Sequence, residues 1–340
     1  MVSATPAAAG EPKKSMSANF DTILLLALPA SGKSEVRRYL ASLPAEVQRR
    51  DFHVGSSVQL DDYPYVHMMR RLSQEMRAMG MEPAFFYSDV HSMKEPRDWG
   101  TLIELVNLDY FDLAAGRRIE PMHAGSWLLD RFEQARANLG IPSPWSSLSP
   151  DERAALADRI DREAVQLVAD KNAGVPDSME GKTLVIEFAR GGPDASPLPL
   201  PAPFGYQHSL RCLAPEILSR AGILYVWVTP EESRRKNHER TDPNDPGSIL
   251  HHGVPLTVMI YDYGCDDMAH LIEHSDKPDT VRVEKEGHTY NLPVARFDNR
   301  TDKTTFVRAD RDKWKESDVA ALHNGLQEAF VTLSRAYQAR

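Results

Sequence analysis

Apolar residues along this chain recur in two rhythms. Thr22-Ile23-Leu24-Leu25-Leu26-Ala27-Leu28 is a continuous apolar run, which suits a strand buried on both faces of a parallel sheet. Further strands are expected at Phe52 to Leu60, interrupted by Gly55, at Thr183 to Phe188, and at Ile223 to Thr229. Thr280 to Glu284 and Thr289 to Phe297 read as a hairpin around Glu286-Gly287. Elsewhere the spacing is helical. Val36, Tyr39, Leu40 and Leu43 follow the first strand and stop at Pro44. From about Tyr63 to Glu180 the pattern is helical almost throughout. Leu128, Phe132, Ala135 and Leu139 share one face, Ile160, Ala164, Leu167 and Val168 another, and Leu102, Leu105, Val106 and Leu113 lie near a third stripe. Pro142, Pro144 and Pro150 punctuate a loop between two of these helices. Val319, Leu322, Leu326, Phe330, Leu333 and Tyr337 predict a final amphipathic helix behind Ser317 as its cap. That stripe reads as a core face against the sheet, with a dimer interface as the alternative. Strands alternating with helices predict an α/β fold. Its core is expected over 20–62 and 181–310, with a helical insertion over 63–180 and a C-terminal helix over 311–340.

The turn between the first strand and the first helix is the most informative feature. Ala27-Leu28-Pro29-Ala30-Ser31-Gly32-Lys33-Ser34 has the order and spacing of a phosphate-binding P-loop, or Walker A motif. The helix start supplies free N–H groups and a partial positive charge to an anion. Pro29, Ala30, Ser31, Gly32, Lys33, Ser34 and Glu35 are therefore the expected nucleotide-binding residues. Lys33 would reach the terminal phosphates, and the Ser34 hydroxyl would ligate Mg²⁺. Ala27 departs from the usual Gly, and a methyl group there is tolerated if φ stays negative. An ordinary turn containing Gly-Lys-Ser is the competing reading.

Composition narrows the class. With 340 residues, 41% hydrophobic and 26% charged, the chain suits a globular protein with one large domain plus an insertion, or two domains. No apolar stretch spans a bilayer, so no membrane partner is expected. Cys212 and Cys265, the only cysteines, argue against a disulfide framework and point to the cytoplasm. The formal charge of −9 disfavours a nucleic-acid partner without excluding a local basic patch. Residues 1–19 read as a disordered tail. A signal peptide is disfavoured, because Asp21 abuts the apolar run and Gly32-Lys33-Ser34-Glu35 makes a poor cleavage region.

Several polar residues fall where open α/β sheets bind ligands, at the carboxyl ends of strands. Asp61 and Asp62 follow the second strand, and either would accept a proton from an attacking hydroxyl. Asp61 is preferred as base and as a water-mediated Mg²⁺ partner, with a solvated turn as the plain alternative. Glu187 ends an apolar strand, and Arg190 follows it. They read either as a Mg²⁺ carboxylate with a phosphate-binding guanidinium, or as an ion pair between the two. Arg234, Arg235 and Arg240 would supply lid charge over the phosphates, or else lace an exposed helix with Glu–Arg pairs. Asn299 would contact the base, or belong to a plain turn. The Pro-rich stretch from Gly191 to Tyr206 borders the site or only connects. Cys265-Asp266-Asp267 with His270, and His251-His252, lack zinc spacing and read as structural.

These pieces together resemble the P-loop kinases of the nucleoside/nucleotide-kinase-like group. Ala-x-Pro-Ala-Ser-Gly-Lys-Ser is similar to the Gly-x-Pro-x-Ser-Gly-Lys-Ser/Thr form of zeta toxins and polynucleotide kinases. Asp61-Asp62-Tyr63 is similar to the Asp-Asp-aromatic element of uridine kinase-like enzymes, and residues 228–240 to the Arg-bearing lid helix of the group. Glu187 with Arg190 resembles the strand-end pair of zeta toxin-like kinases. The resemblance covers 20–62 and 181–310 and implies a P-loop NTPase three-layer sandwich with a mainly parallel five-stranded sheet. It implies ATP with Mg²⁺ as donor and a hydroxyl acceptor of unstated identity. The insertion, which matches no family, is expected to bind that acceptor. An NTP-hydrolysing switch and a non-catalytic nucleotide-binding module are the rival functions.

Overall fold

The computed structural model describes residues 19–240 and 253–340. The expected tail before Asn19 and the His251-His252 pair lie outside the described residues. The chain opens with β1 (Thr22–Leu26), α1 (Lys33–Ala41), α2 (Ala45–Phe52) and β2 (Ser56–Asp61). It continues through α3 (Tyr63–Ala78), α4 (Asp98–Ala114), α5 (Ala124–Asn138) and α6 (Pro150–Gly174) before returning at β3 (Lys182–Phe188). Next come α7 (Gly205–Cys212), α8 (Pro215–Leu218), β4 (Ala221–Trp227), α9 (Pro230–Arg240), α10 (Leu256–Tyr261) and α11 (Met268–Glu273). The chain closes with β5 (Thr280–Lys285), β6 (His288–Asp298), two short 3₁₀ turns and α12 (Glu316–Gln338).

The strands form one sheet in the order β2-β3-β1-β4-β6-β5. All neighbours are parallel except the β5–β6 hairpin. The sheet therefore has six strands, not the five expected. The sixth is the antiparallel arm of the anticipated hairpin, whose turn takes positive φ at both Glu286 and Gly287, as a two-residue type I′ turn requires. The second strand also differs from expectation. Ala45–Phe52 is helical behind Pro44, and the strand begins only at Ser56.

β1 lies between β3 and β4, and the chain moves to one side of it for β2 and β3 and to the other for β4. That reversal is the switch point at whose crevice open α/β sheets bind ligands, and the turn that follows β1 sits at it. Alternate residues face opposite layers. Leu24, Ile186, Ile223 and Tyr225 pack with Ile103 and Val106 of α4 and Leu210 of α7. Ile23, Leu25, Leu224 and Val226 pack with Val36 of α1 and Leu322, Leu326 and Phe330 of α12. The final helix is thus a core face, as its stripe predicts. Ser317 is not its cap: the helix starts at Glu316 behind Lys315, and the Ser317 hydroxyl turns to Asp318.

The insertion has its own apolar centre, including Met68 and Leu72 of α3, Leu128 and Phe132 of α5, and Leu156 and Ile160 of α6. α4 belongs to both bodies: Leu102 and Leu105 face the insertion while Ile103 and Val106 face the sheet. Buried Asp109 on α4 accepts from Tyr65 at 2.8 Å and pairs with Arg131 at 2.6 Å and with Lys171. Pro150 opens α6 behind a Ser149–Glu152 capping box rather than lying in the loop. Among the described residues no helix is long and apolar enough to cross a membrane.

Candidate functional site

The loop from Ala27 to Gly32 joins β1 to α1 at the crevice. Ala27 is not among the residues of positive φ, so its methyl group meets no backbone penalty. Ala30 and Gly32 are, at 54° and 105°. Among the described residues, no protein acceptor takes the N–H groups of Gly32, Lys33, Ser34 or Glu35; the first amide of α1 with a partner is Val36, bonded to Gly32 O at 2.9 Å. The Ser31 hydroxyl is buried without a partner. Lys33 folds over the same turn, its Nζ 3.3 Å from Ala27 O and 3.5 Å from Leu28 O. Burial pushes its ammonium pKa down, while Glu187, Asp61 and Asp62 oppose that shift. Glu35 presents its backbone to the loop, but its carboxylate is engaged by Arg308 at 2.6 Å.

Gly32 has two reasons to be glycine. Its φ is unfavourable for any other residue, and a Cβ would collide with the Thr304 hydroxyl and lie 2.8 Å from Asn299 Nδ2. Gly32→Ala is expected to destabilise the fold by about 1–3 kcal/mol, because the strain and the collision both fall on a packed turn. Scanning calorimetry with the purified variant checks this.

Two carboxylates stand side by side at neighbouring strand ends. Asp61 of β2 is in register with Glu187 of β3. Lys33 and Arg37, one turn apart on α1, serve the same corner. Arg37 Nε lies 3.1 Å from Glu187 Oε2, and its Nη1 donates to Gln59 at 2.9 Å. Asp61 accepts from the Tyr63 N–H at 2.8 Å. Burial, with the nearby Glu187 and Asp62 charges, pushes the Asp61 pKa up to about 7.

The expected Glu187–Arg190 pair does not form. Glu187 faces Arg37, and Arg190 turns to Asp62, bonding it through Nη1 at 2.6 Å. Arg190 also donates to Ser209, Ala189 O and Trp99 O, and lies against the Trp99 and Phe188 rings at 2% exposure. Its donors are spent inside the protein, so it braces the strand ends rather than reaching a phosphate. Asp62 is correspondingly committed to Arg190, which leaves Asp61 as the less committed carboxylate of the two.

The three arginines of α9 part company. Arg235 is exposed and paired with Glu232 and Glu239, each at 2.6 Å, so it laces the helix surface instead of serving as lid charge. Arg234 approaches Glu231 at 3.4 Å, while its Nη1 is buried without a hydrogen-bond partner among the described residues. Arg240 is partly buried, and Glu35, Arg308, Tyr63 and Glu187 are among the groups acting on its charge. Arg235→Ala is expected to lower stability by about 1 kcal/mol or less, since exposed pairs contribute only about 0.2–1 kcal/mol; thermal melting is the check.

Asn299 is committed to the protein's own loop. Its side chain is fully buried, donating to Ser31 O at 2.7 Å and Thr304 Oγ1 at 2.8 Å and accepting from Lys303 N–H at 2.6 Å. Sequence reasoning missed its neighbours. Ser233 donates to Pro29 O at 2.7 Å, and Lys236 bonds Asp302 at 2.7 Å. Their i, i+3 spacing on one helix face was the available signal, hidden in a charge run. Nothing in the sequence singles out Arg37, Thr304 or Arg308.

Asp266 and Asp267 hold structure: Asp266 accepts from Tyr225 at 2.6 Å, and Asp267 accepts from the Tyr206 and Gln207 N–H groups in the first turn of α7. Among the described residues, no cluster of three His, Cys, Asp or Glu side chains forms a metal site. Mg²⁺ is ordinarily held by one or two carboxylates together with substrate phosphates and water. Ser34, Asp61 and Glu187 are the groups that would complete such a shell.

Native interiors satisfy their polar atoms. Of the buried side-chain atoms without a hydrogen-bond partner among the described residues, Ser31 Oγ lies in the turn after β1, and Arg37 Nε and Glu187 Oε2 beside it are each other's ion-pair partner at 3.1 Å. Comparison with protein-family models, with curated proteins and with solved structures gave no match.

Proposed function

We propose that this chain is an ATP-dependent kinase that transfers the γ-phosphoryl group to an acceptor hydroxyl. The observation that carries the reading is the run of unaccepted helix-start N–H groups at one strand–loop–helix turn, with the unpartnered Ser31 hydroxyl among them, beside two strand-end carboxylates. Such a turn suits a polyanion: the amides from Gly32 to Glu35 would bind phosphate oxygens, and Lys33 would neutralise their terminal charge. Ser34, Asp61 and Glu187 fit Mg²⁺ in donor type. The chemistry that Mg²⁺ supplies when bound is charge neutralisation across the β- and γ-phosphates.

Asp61 is the base. Its carboxylate takes the proton of the acceptor hydroxyl as that oxygen bonds to the γ-phosphorus and the bond to ADP breaks. Arg190 fixes Asp62 and with it the start of α3, so the adjacent Asp61 is held in place. Arg234 and Arg240 supply positive charge above the loop. The insertion begins directly after Asp61-Asp62 and would bind the acceptor. Incubation with γ-labelled ATP and a metabolite extract tests the reading. Label in a new phosphorylated compound supports it; label in free phosphate alone assigns the chain to the hydrolytic class instead.

A further inference from the structure

We propose that Lys236 is a positioning residue for the phosphate loop, bracing it from behind through Thr304 and Asn299. The inference rests on the kinase reading and adds a residue to its binding machinery. Lys236 is 1% exposed although its neighbour Arg235 is solvent-facing. A buried ammonium is expensive unless paired. Here its Nζ donates to Asp302 Oδ1 at 2.7 Å and to Thr304 Oγ1 at 3.1 Å. The same Thr304 oxygen accepts from Asn299 Nδ2 at 2.8 Å and lies directly against Gly32. Asn299 Nδ2 also donates to Ser31 O at 2.7 Å. One turn before Lys236, the Ser233 hydroxyl holds Pro29 O at 2.7 Å.

Every bond from this network to the loop backbone goes to a carbonyl, and that fixes the amides. In a trans peptide the C=O and the following N–H point in opposite directions. Ser31 O drawn back by Asn299 therefore turns the Gly32 N–H outward. Pro29 O drawn back by Ser233 turns the Ala30 N–H outward in the same way. α9 and the 299–304 segment form the rear wall of the cradle, and Lys236 is the buried cation that joins them, at 2.7 Å from Asp302 where the exposed Arg235 stands 3.7 Å away. Without its ammonium, Asp302 and Thr304 lose their common partner, and the wall loosens where Gly32 leans on it.

The test uses the full chain, with Mg·ATP and Mg·pyrophosphate as calorimetric ligands. Lys236→Met is expected to weaken both by the same factor, roughly tenfold, the order for losing a hydrogen bond to a charged group. Thr304→Val, which keeps side-chain shape, is expected to do likewise and serves if Lys236→Met does not fold. The double variant is expected to be little worse than either single one, because both cut the same link. Equal loss for pyrophosphate places the effect at the loop, which a general loss of stability in a folded variant would not produce. Wild-type affinity in either folded variant, or loss confined to ATP, overturns the assignment of Lys236 alone. A wild-type protein that binds neither ligand overturns the kinase reading with it.

Discussion

Lys33→Ala is expected to lower kcat/KM for phosphoryl transfer by roughly 10³-fold while leaving the protein folded. The kinetic part follows from position. Lys33 is the sole cation of the loop itself, it sits at the start of α1, and Asp61, Asp62 and Glu187 act on its charge. Loss of one preorganised donor to developing transition-state charge removes roughly 10²–10³-fold in rate, and the lysine contributes binding as well. The stability part follows from its surroundings. Its native contacts are two long bonds to carbonyls of its own loop, at 3.3 and 3.5 Å, and burial already works against its charged form. Its removal deletes a poorly solvated cation and little packing. The melting temperature at pH 7 should match or exceed that of the wild type, measured beside the transfer rate.

Asp61→Asn is expected to lower kcat by roughly 10²–10⁴-fold, the range for removing a general base, with Mg·ATP affinity changed far less. Since the carboxyl pKa is pushed up to about 7, the wild-type rate should rise with pH through that region and level off above it. The Asn variant should lose that limb. The same shift has a consequence for folding. A folded-state pKa above the unfolded value near 3.8 means the native protein holds this proton more tightly. Wild-type stability therefore falls as pH rises from about 4 to about 7, because ionisation opposes the burial of Asp61 and its closeness to Glu187. Asn carries no such charge, so the variant should melt higher than the wild type at pH 8, with the gain shrinking toward pH 4. A base at Asp62 predicts the opposite assignment: Asp62→Asn would carry the kinetic loss, together with disruption of the bond to Arg190.

Much of the fold was legible because its elements are apolar on defined faces. β1, β3 and β4 are buried runs, and the α12 stripe is unbroken from Leu322 to Leu333. α4 was harder to read, since a helix packed on both sides mixes Leu102 and Leu105 with Ile103 and Val106 in one broad band. The start of β2 was blurred because Phe52 and Val54 are core residues that precede the strand. The loop was readable from spacing alone, since amide geometry at a helix start depends on local residues. Its rear wall was not. Asn299 and Thr304 meet Ser31 and Gly32 across more than two hundred residues of chain, and Lys236 reaches Thr304 from 68 residues away. Likewise Glu187 and Arg190 are close in sequence, yet strand alternation and tertiary partners send one to Arg37 and the other to Asp62.

The central claim is that the turn from Ala27 to Glu35 encloses a polyphosphate. Calorimetric titration of the full chain with Mg·ATP measures it most directly. The account predicts saturable one-site binding, with Kd below about 1 mM as for ordinary enzyme substrates, and loss of the heat in Lys33→Ala. Absence of binding to ATP, GTP or pyrophosphate in the presence of magnesium, by a wild-type protein shown to be folded, contradicts it.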